Sequence, residues 1–148
     1  MEIREAKVED IPALMPLYRG YFDFYESDPD DADVEVMMRE VIALPEDEAY
    51  LLVATDTTGK VVGFANNDWK WSSLRGKKIV LMDDLFVHPD ARGGGYADAL
   101  IKAVADVARR HGAPNILWYT AHDNVRAQTV YDRVGGVAGD YKEYELEL

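Results

Sequence analysis

The chain of 148 residues has no cysteine. A thiol nucleophile, a disulfide framework and any metal site built on thiolates are therefore excluded. Basic side chains are few beside acidic ones: 16 Lys and Arg against 28 Asp and Glu leave a formal charge of −12. Nucleic acid is excluded as the main partner, because binding a phosphate backbone needs a basic footprint. The acidic field attracts a small cation or serves solubility alone, and composition leaves both readings open. Long apolar runs are missing as well. Nothing approaches the ~18 residues of a membrane span, and the opening Met1-Glu2-Ile3-Arg4 lacks the apolar core of a signal peptide. The expectation is a cytoplasmic protein with no membrane partner. No spacing resembles a metal constellation, so no metal is expected; His88 and His122 read as structural, and His111 ends a helix where positive charge suits the dipole.

There is no repeat, no low-complexity tract and no linker long enough to divide the chain, so a single domain over residues 1–148 is expected. A short strand fits Glu2–Ala6. Ile11, Leu14, Leu17, Tyr18 and Tyr21 then recur at helical spacing, with Pro12 tolerated in a first turn. Asp28-Pro-Asp-Asp31 breaks that helix. Asp33 is the expected N-cap of a second, which carries Val34, Met37, Met38, Val41 and Ile42 on its apolar side and stops at Pro45. Tyr50–Thr55 and Val61–Asn66 read as a hairpin around the turn Asp56–Gly59. A polar loop over Ser72–Lys78 leads to a third apolar strand, Ile79–Val87. Ala97–His111 is an amphipathic helix with Gly112 in the C-capping place and Pro114 beyond. Asn115–Thr120 reads as a strand, Asn124–Val134 as a helix, and the alternation over Tyr141–Leu148 as a closing strand. This order predicts a three-layer α/β (α+β) domain around one central sheet.

The most informative stretch is Val87-His-Pro-Asp-Ala-Arg-Gly-Gly-Gly-Tyr-Ala97. A strand ends at Val87 and a helix opens near Ala97, with consecutive glycines between. Glycines let backbone N–H groups converge, the helix N-terminus adds partial positive charge, and Arg92 adds a formal one: together, a phosphate site. The bland reading is a mobile surface turn. A Walker loop is ruled out, because Gly95-Tyr96-Ala97 stands where Gly-Lys-Ser/Thr is needed. A dinucleotide fingerprint fails too, since Asn115–Thr120 ends without the required acid.

Arg92-Gly-Gly-Gly95-Tyr96-Ala97 resembles the pyrophosphate motif of GNAT acetyltransferases: Arg or Gln, two variable residues, Gly, one variable residue, then Gly or Ala. The likeness extends upstream into Leu81-Met-Asp-Asp-Leu-Phe-Val-His-Pro89 and downstream to Asn124 and Tyr131–Gly135. It is most similar to the diamine and polyamine branch, which includes spermidine/spermine and thialysine acetyltransferases. Tyr96 departs from the pattern, where a small aliphatic residue is usual. The resemblance implies a mixed, mostly antiparallel twisted sheet flanked by helices, acetyl-CoA as cofactor, a small-molecule amine acceptor and a homodimer.

It also implies roles for residues. The cofactor set is Leu85, Phe86, Val87, Arg92, Gly93, Gly94, Gly95, Tyr96, Ala97, Asp98, Asn124 and Arg126. Backbone N–H groups of Leu85–Val87 would bond the pantetheine arm and polarise the thioester carbonyl. Tyr131 stands where the family tyrosine protonates the departing thiolate; a phenol of pKa ~10 suits that task, and a core aromatic is the alternative. Asn124 caps a helix, bonds the pantetheine, or both. Asp83 and Asp84 interrupt an apolar strand, so one of them should point inward. Asp83 falls where the branch carries a Glu that takes up the amine proton, and its shorter side chain favours relay through water. Tyr25 and Glu26 resemble the Tyr-Glu pair of the acceptor site. Trp69 and Trp71 read either as an aromatic wall for a cation or as a dimer contact. An acceptor on a protein (its N-terminus or a lysine) and a non-catalytic acyl-CoA-binding domain are the competing functions.

Overall fold

A computed structural model describes all residues, Met1–Leu148. Five strands form one sheet in the order β1 (Glu2–Glu5), β2 (Ala49–Thr55), β3 (Val61–Ser72), β4 (Lys77–Val87) and β5 (Ile116–Leu117). The first three pairings are antiparallel, while β4 and β5 run parallel. Helices α1 (Ile11–Tyr25) and α2 (Asp31–Ala43) cover one face, and α3 (Tyr96–Arg110) and α4 (Val125–Arg133) lie on the other.

Strand alternation explains how one sheet serves two cores. Leu51, Val53, Phe64 and Phe86 pack beneath α1 and α2 with Leu14, Tyr18, Val34 and Met38. Leu52, Ala54, Ala65 and Val80 pack beneath α3 with Leu100, Val104 and Val107. Central strand β2 is consequently buried along its whole length.

Several boundaries differ from the sequence expectations. The second helix is capped at Asp30 rather than Asp33, which falls within its first turn, where its charge suits the dipole. Pro16 lies inside α1, beyond the first turn that Pro12 occupies. The polar loop expected over Ser72–Lys78 is a turn at Ser73–Gly76 whose flanks, Ser72 and Lys77–Lys78, already belong to β3 and β4; Trp71 pairs with Lys78 and has the lysine Nζ 5.9 Å from its ring centre. Two expected strands shrink or vanish. Asn115–Thr120 contributes only Ile116 and Leu117, and Tyr141–Leu148 forms no strand at all. Alternation supplies a face, not a partner; Tyr141 and Tyr144 stay 90% and 88% exposed.

Candidate active site

The pairing of β4 with β5 ends at Leu81 opposite Leu117. Beyond that point the β4 edge turned away from β3 has no strand beside it, because β5 ends at Leu117. Alternate backbone N–H groups of Met82–Val87 therefore face the opening. Gly63 opposite Val87 keeps β3 close behind this wall: a Cβ there would come 2.8 Å from the Phe86 carbonyl oxygen.

The opening is a cleft of about 700 Å³. Leu85, Phe86 and Val87 form one wall, the glycine loop and the start of α3 a second, and Asn124, Arg126, Thr129 and Tyr131 of the α4 segment a third. The three glycines have different reasons to be there. Gly93 and Gly95 hold left-handed backbone, φ 81° and 79°, which turns the chain into α3. Gly94 does not line the cleft; a Cβ on it would meet the Tyr96 ring at 2.9 Å. The bulky Tyr96 is thus accommodated by the glycine two residues before it.

Arg92 donates from Nε to the Val87 carbonyl at 2.9 Å and rests its guanidinium 5.6 Å from the Phe86 ring centre. Burial, and then the neighbouring Arg126, push its pKa down. Two guanidinium groups near enough to act on one another's charge, beside the N–H groups of a helix N-terminus, fit the phosphates of a CoA molecule. Asp98 lines the same cleft, but Arg133 grips its carboxylate at 2.6 and 2.9 Å. That pair ties α3 to α4 and neutralises an acid beside the expected polyanion. Tyr96 opens the helix one residue earlier than expected, and Ala97 lines the cleft beside it.

Tyr131 sits in the cleft with its ring 5.4 Å from Trp118, inclined at 63°. Burial and then the nearby Tyr25 push its pKa up to about 12. The phenol therefore stays protonated at neutral pH and can give a proton. Asn124 caps α4 by accepting from the Ala127 N–H at 3.2 Å and also faces the cleft.

On the acceptor side, a bulge between Asn66 and Asn67 leaves Asp83 without an opposite residue, while Asp84 pairs with Asn66. Both acids lie on the α1 face, where Tyr18 feels the charge of each; the alternation that should have turned one outward is broken by the bulge. Asp84 accepts hydrogen bonds from Asn66 Nδ2 (3.2 Å) and Tyr21. Burial raises its pKa against those two bonds. Burial and then a hydrogen bond shared with Asp68 push Asp83 up to about 8. Neither acid lines the cofactor cleft itself. Tyr25 does, with Tyr21 and Phe24 beside it, whereas Glu26 is exposed and outside it.

The aromatic side of this cleft comes from the end of α1, and neither Trp69 nor Trp71 lines it. Trp69 donates to the Glu46 carbonyl at 2.8 Å and packs on His111. Trp71 is 73% exposed at a hairpin tip. Sequence reasoning missed Tyr21, Phe24, Asp68 and Arg133. The run Tyr21-Phe-Asp-Phe-Tyr25 carried a signal, being more aromatic than one buried helix face requires.

Comparison with known proteins points the same way. Residues 11–136 match the family model of the Acetyltransferase (GNAT) family. An uncharacterized N-acetyltransferase of Bacillus subtilis (strain 168), YhfO, is 33% identical over 91% of this chain and 89% of its own length. The thialysine N-epsilon-acetyltransferase of Bos taurus is 28% identical over 97% and 86%. A crystal structure of a probable acetyltransferase superposes with a TM-score of 0.86 at 26% identity, covering all of this chain and 98% of that one.

Proposed function

The chain belongs to the GNAT family of acetyl-CoA-dependent N-acetyltransferases, and on that premise we propose that its acceptor is the primary amine of a small cation, which attacks directly while both substrates are bound. Acetyl-CoA supplies an activated thioester. The remaining work falls to the chain. Arg92, Arg126 and the N–H groups opening α3 hold the phosphates. The unpaired β4 edge at Leu85–Val87 orients the pantetheine arm and directs N–H groups at the reacting carbonyl. Tyr131 keeps a proton on its hydroxyl for the departing sulfur.

A primary amine arrives protonated and must lose a proton before attack. In this reading the proton passes to Asp84, and through water to Asp83 once that carboxyl has given up its own. The observation that supports a cationic acceptor is this cluster: acids beside the aromatic end of the cleft, acted on by other acids, Tyr21 and Asn66, and by no lysine or arginine. The apolar hairpin tip, where Trp71 and Leu74 are 73% and 93% exposed, supports a homodimer in the same reading.

The test is CoA release with a panel of amines. Diamines, polyamines and thialysine-like acceptors should react faster than glutamate or aromatic amines, and added salt should raise KM for the cations. A neutral or acidic acceptor that wins would overturn the proposal. Turnover only with peptide amines would favour a protein acceptor, and stabilisation by acetyl-CoA without turnover a binding domain.

A further inference from the structure

Asp68 takes no part in the cofactor cleft, yet it stands beside Asp83 on the α1 face of the sheet, within hydrogen-bonding reach of that carboxyl. Asp84 completes a group of three acids around the bulge of β3 and β4. The ion pairs of the molecule engage other acids, such as Asp10, Asp31, Glu46, Asp98 and Asp106. From α1 the cluster is faced by Tyr18, Tyr21 and Tyr25, from β3 by Asn66 and Asp68. No resident cation balances it, and its carboxyls are not arranged as a metal-binding group.

Two buried polar atoms next to the cluster also lack partners. Tyr18 is only 1% exposed, stacks on Phe64, and carries a hydroxyl that has no hydrogen-bond partner and feels the charges of Asp84 and Asp83. Asn66, 7% exposed, spends its Nδ2 on Asp84 and leaves Oδ1 unpartnered. Buried polar atoms rarely stay unpaired without a reason. Carboxylates and an amide oxygen are acceptors throughout, so the complement is a cation rich in N–H donors. An alkylammonium offers three.

We propose that Asp68 determines specificity: with Asp83 it forms the subsite for the distal ammonium of a diamine-type acceptor, whose other amine is acetylated. The inference rests on the cationic-amine reading above and names a residue outside that reading. The ammonium meets Asp68 and Asp83 on their open side and reaches Asn66 Oδ1 and Tyr18 behind Asp84 through water. Spacing agrees. At about 3.3 Å per residue, Asp83 lies roughly 7 Å along β4 from Leu85, where the thioester carbonyl is expected. A chain of about five bonds, each near 1.5 Å, spans that distance. Binding the cation also relieves repulsion between the paired carboxyls, so it should release the proton that Asp83 retains at neutral pH.

The experiment is calorimetry of 1,4-diaminobutane and of butylamine with the CoA-saturated protein, wild type and Asp68→Asn. Diamine affinity should fall at least tenfold in the variant while butylamine changes less than twofold. Asp68→Glu, which keeps the charge, should hold diamine affinity within about threefold of the wild type, and thermal melting with CoA titration verifies that both variants are folded. Equal loss for both amines, unchanged diamine affinity, or no diamine binding to the wild type overturns the subsite. CoA release by the wild type separates the two ideas. If no cationic amine turns over, the acceptor reading fails, while the calorimetry still decides the subsite.

Discussion

All of β2, Ala49–Thr55, is buried, yet from Arg109 to Leu148 no residue is buried. The first region has helices on both faces of a sheet. The second, comprising β5, α4 and the tail, touches the rest of the protein along one side and has the cleft on the other. Apolar burial is the main source of folding stability, so the molecule concentrates stability in one half and places Asn124, Arg126 and Tyr131 in the other. The side of α4 that a core would fill is the side that faces the cleft. Weakly packed elements are where ligand-linked ordering is least costly, and a ligand that binds only the folded form stabilises it by mass action.

The sharpest way to separate the two regions is Tyr131→Phe. It keeps the ring against Trp118 and removes only the proton donor. We expect kcat to fall by roughly 10²–10⁴, the usual cost of losing a general acid, with a stability change within about 0.5 kcal/mol. Steady-state kinetics beside urea unfolding check this. Full activity would reduce Tyr131 to a packing residue.

The converse is Leu100→Ala. Leu100 is fully buried beneath the sheet, and truncation there should cost about 2–5 kcal/mol. Val130→Ala in α4, partly buried in the same cluster, should cost about 1 kcal/mol or less. Comparable losses at both sites would erase the contrast in packing.

A smaller effect follows from Asp83. An unfolded Asp titrates near pH 3.9, whereas burial and Asp68 raise Asp83 to about 8 in the folded protein. Between those values the folded form keeps a proton that the unfolded chain has lost, so stability declines as pH rises through the window. Water on the open side of Asp83 screens part of this slope. Asp83→Asn should therefore match the wild type near pH 4 and exceed it near pH 8 in urea midpoint. A variant weaker than the wild type at pH 8 would show that the carboxylate is stabilised there.

The same contrast explains what was legible in the sequence. Ile11, Leu14, Leu17 and Tyr18, or Leu100, Ile101 and Val104, announce helices because burial imposes period and composition together. The glycine loop was legible because its backbone geometry leaves few alternatives to glycine. The tail Tyr141–Leu148 has the alternation of a strand but no partner, and partnership is not written in a local pattern. Asp98 with Arg133, and Asp68 with Asp83, are long-range pairings of the same kind. The bulge at Asn66 misled the alternation rule at the one place where two acids share a face.

Glu26 gives the smallest predicted effect, and it sits in the tightly packed half. It is the one non-glycine residue with left-handed backbone, φ 54°, and it closes α1 where Ser27 N–H reaches back to the Phe22 carbonyl at 3.0 Å. This is the helix ending that usually takes glycine; a side chain there costs about 1 kcal/mol. Its carboxylate is exposed and lies outside the cofactor cleft, so nothing in the fold repays that strain. Two outcomes of Glu26→Gly differ. If Glu26 is only a cap, the variant gains up to about 1 kcal/mol in urea unfolding and keeps its KM for a cationic amine. If the strain holds the carboxylate near the mouth of the acceptor site, stability still rises but KM for the cation climbs while kcat is kept, because a binding contact and not a reacting group is lost. A variant that loses stability would show that the left-handed turn is not strained, and the reason for an acid at this position would have to be sought elsewhere.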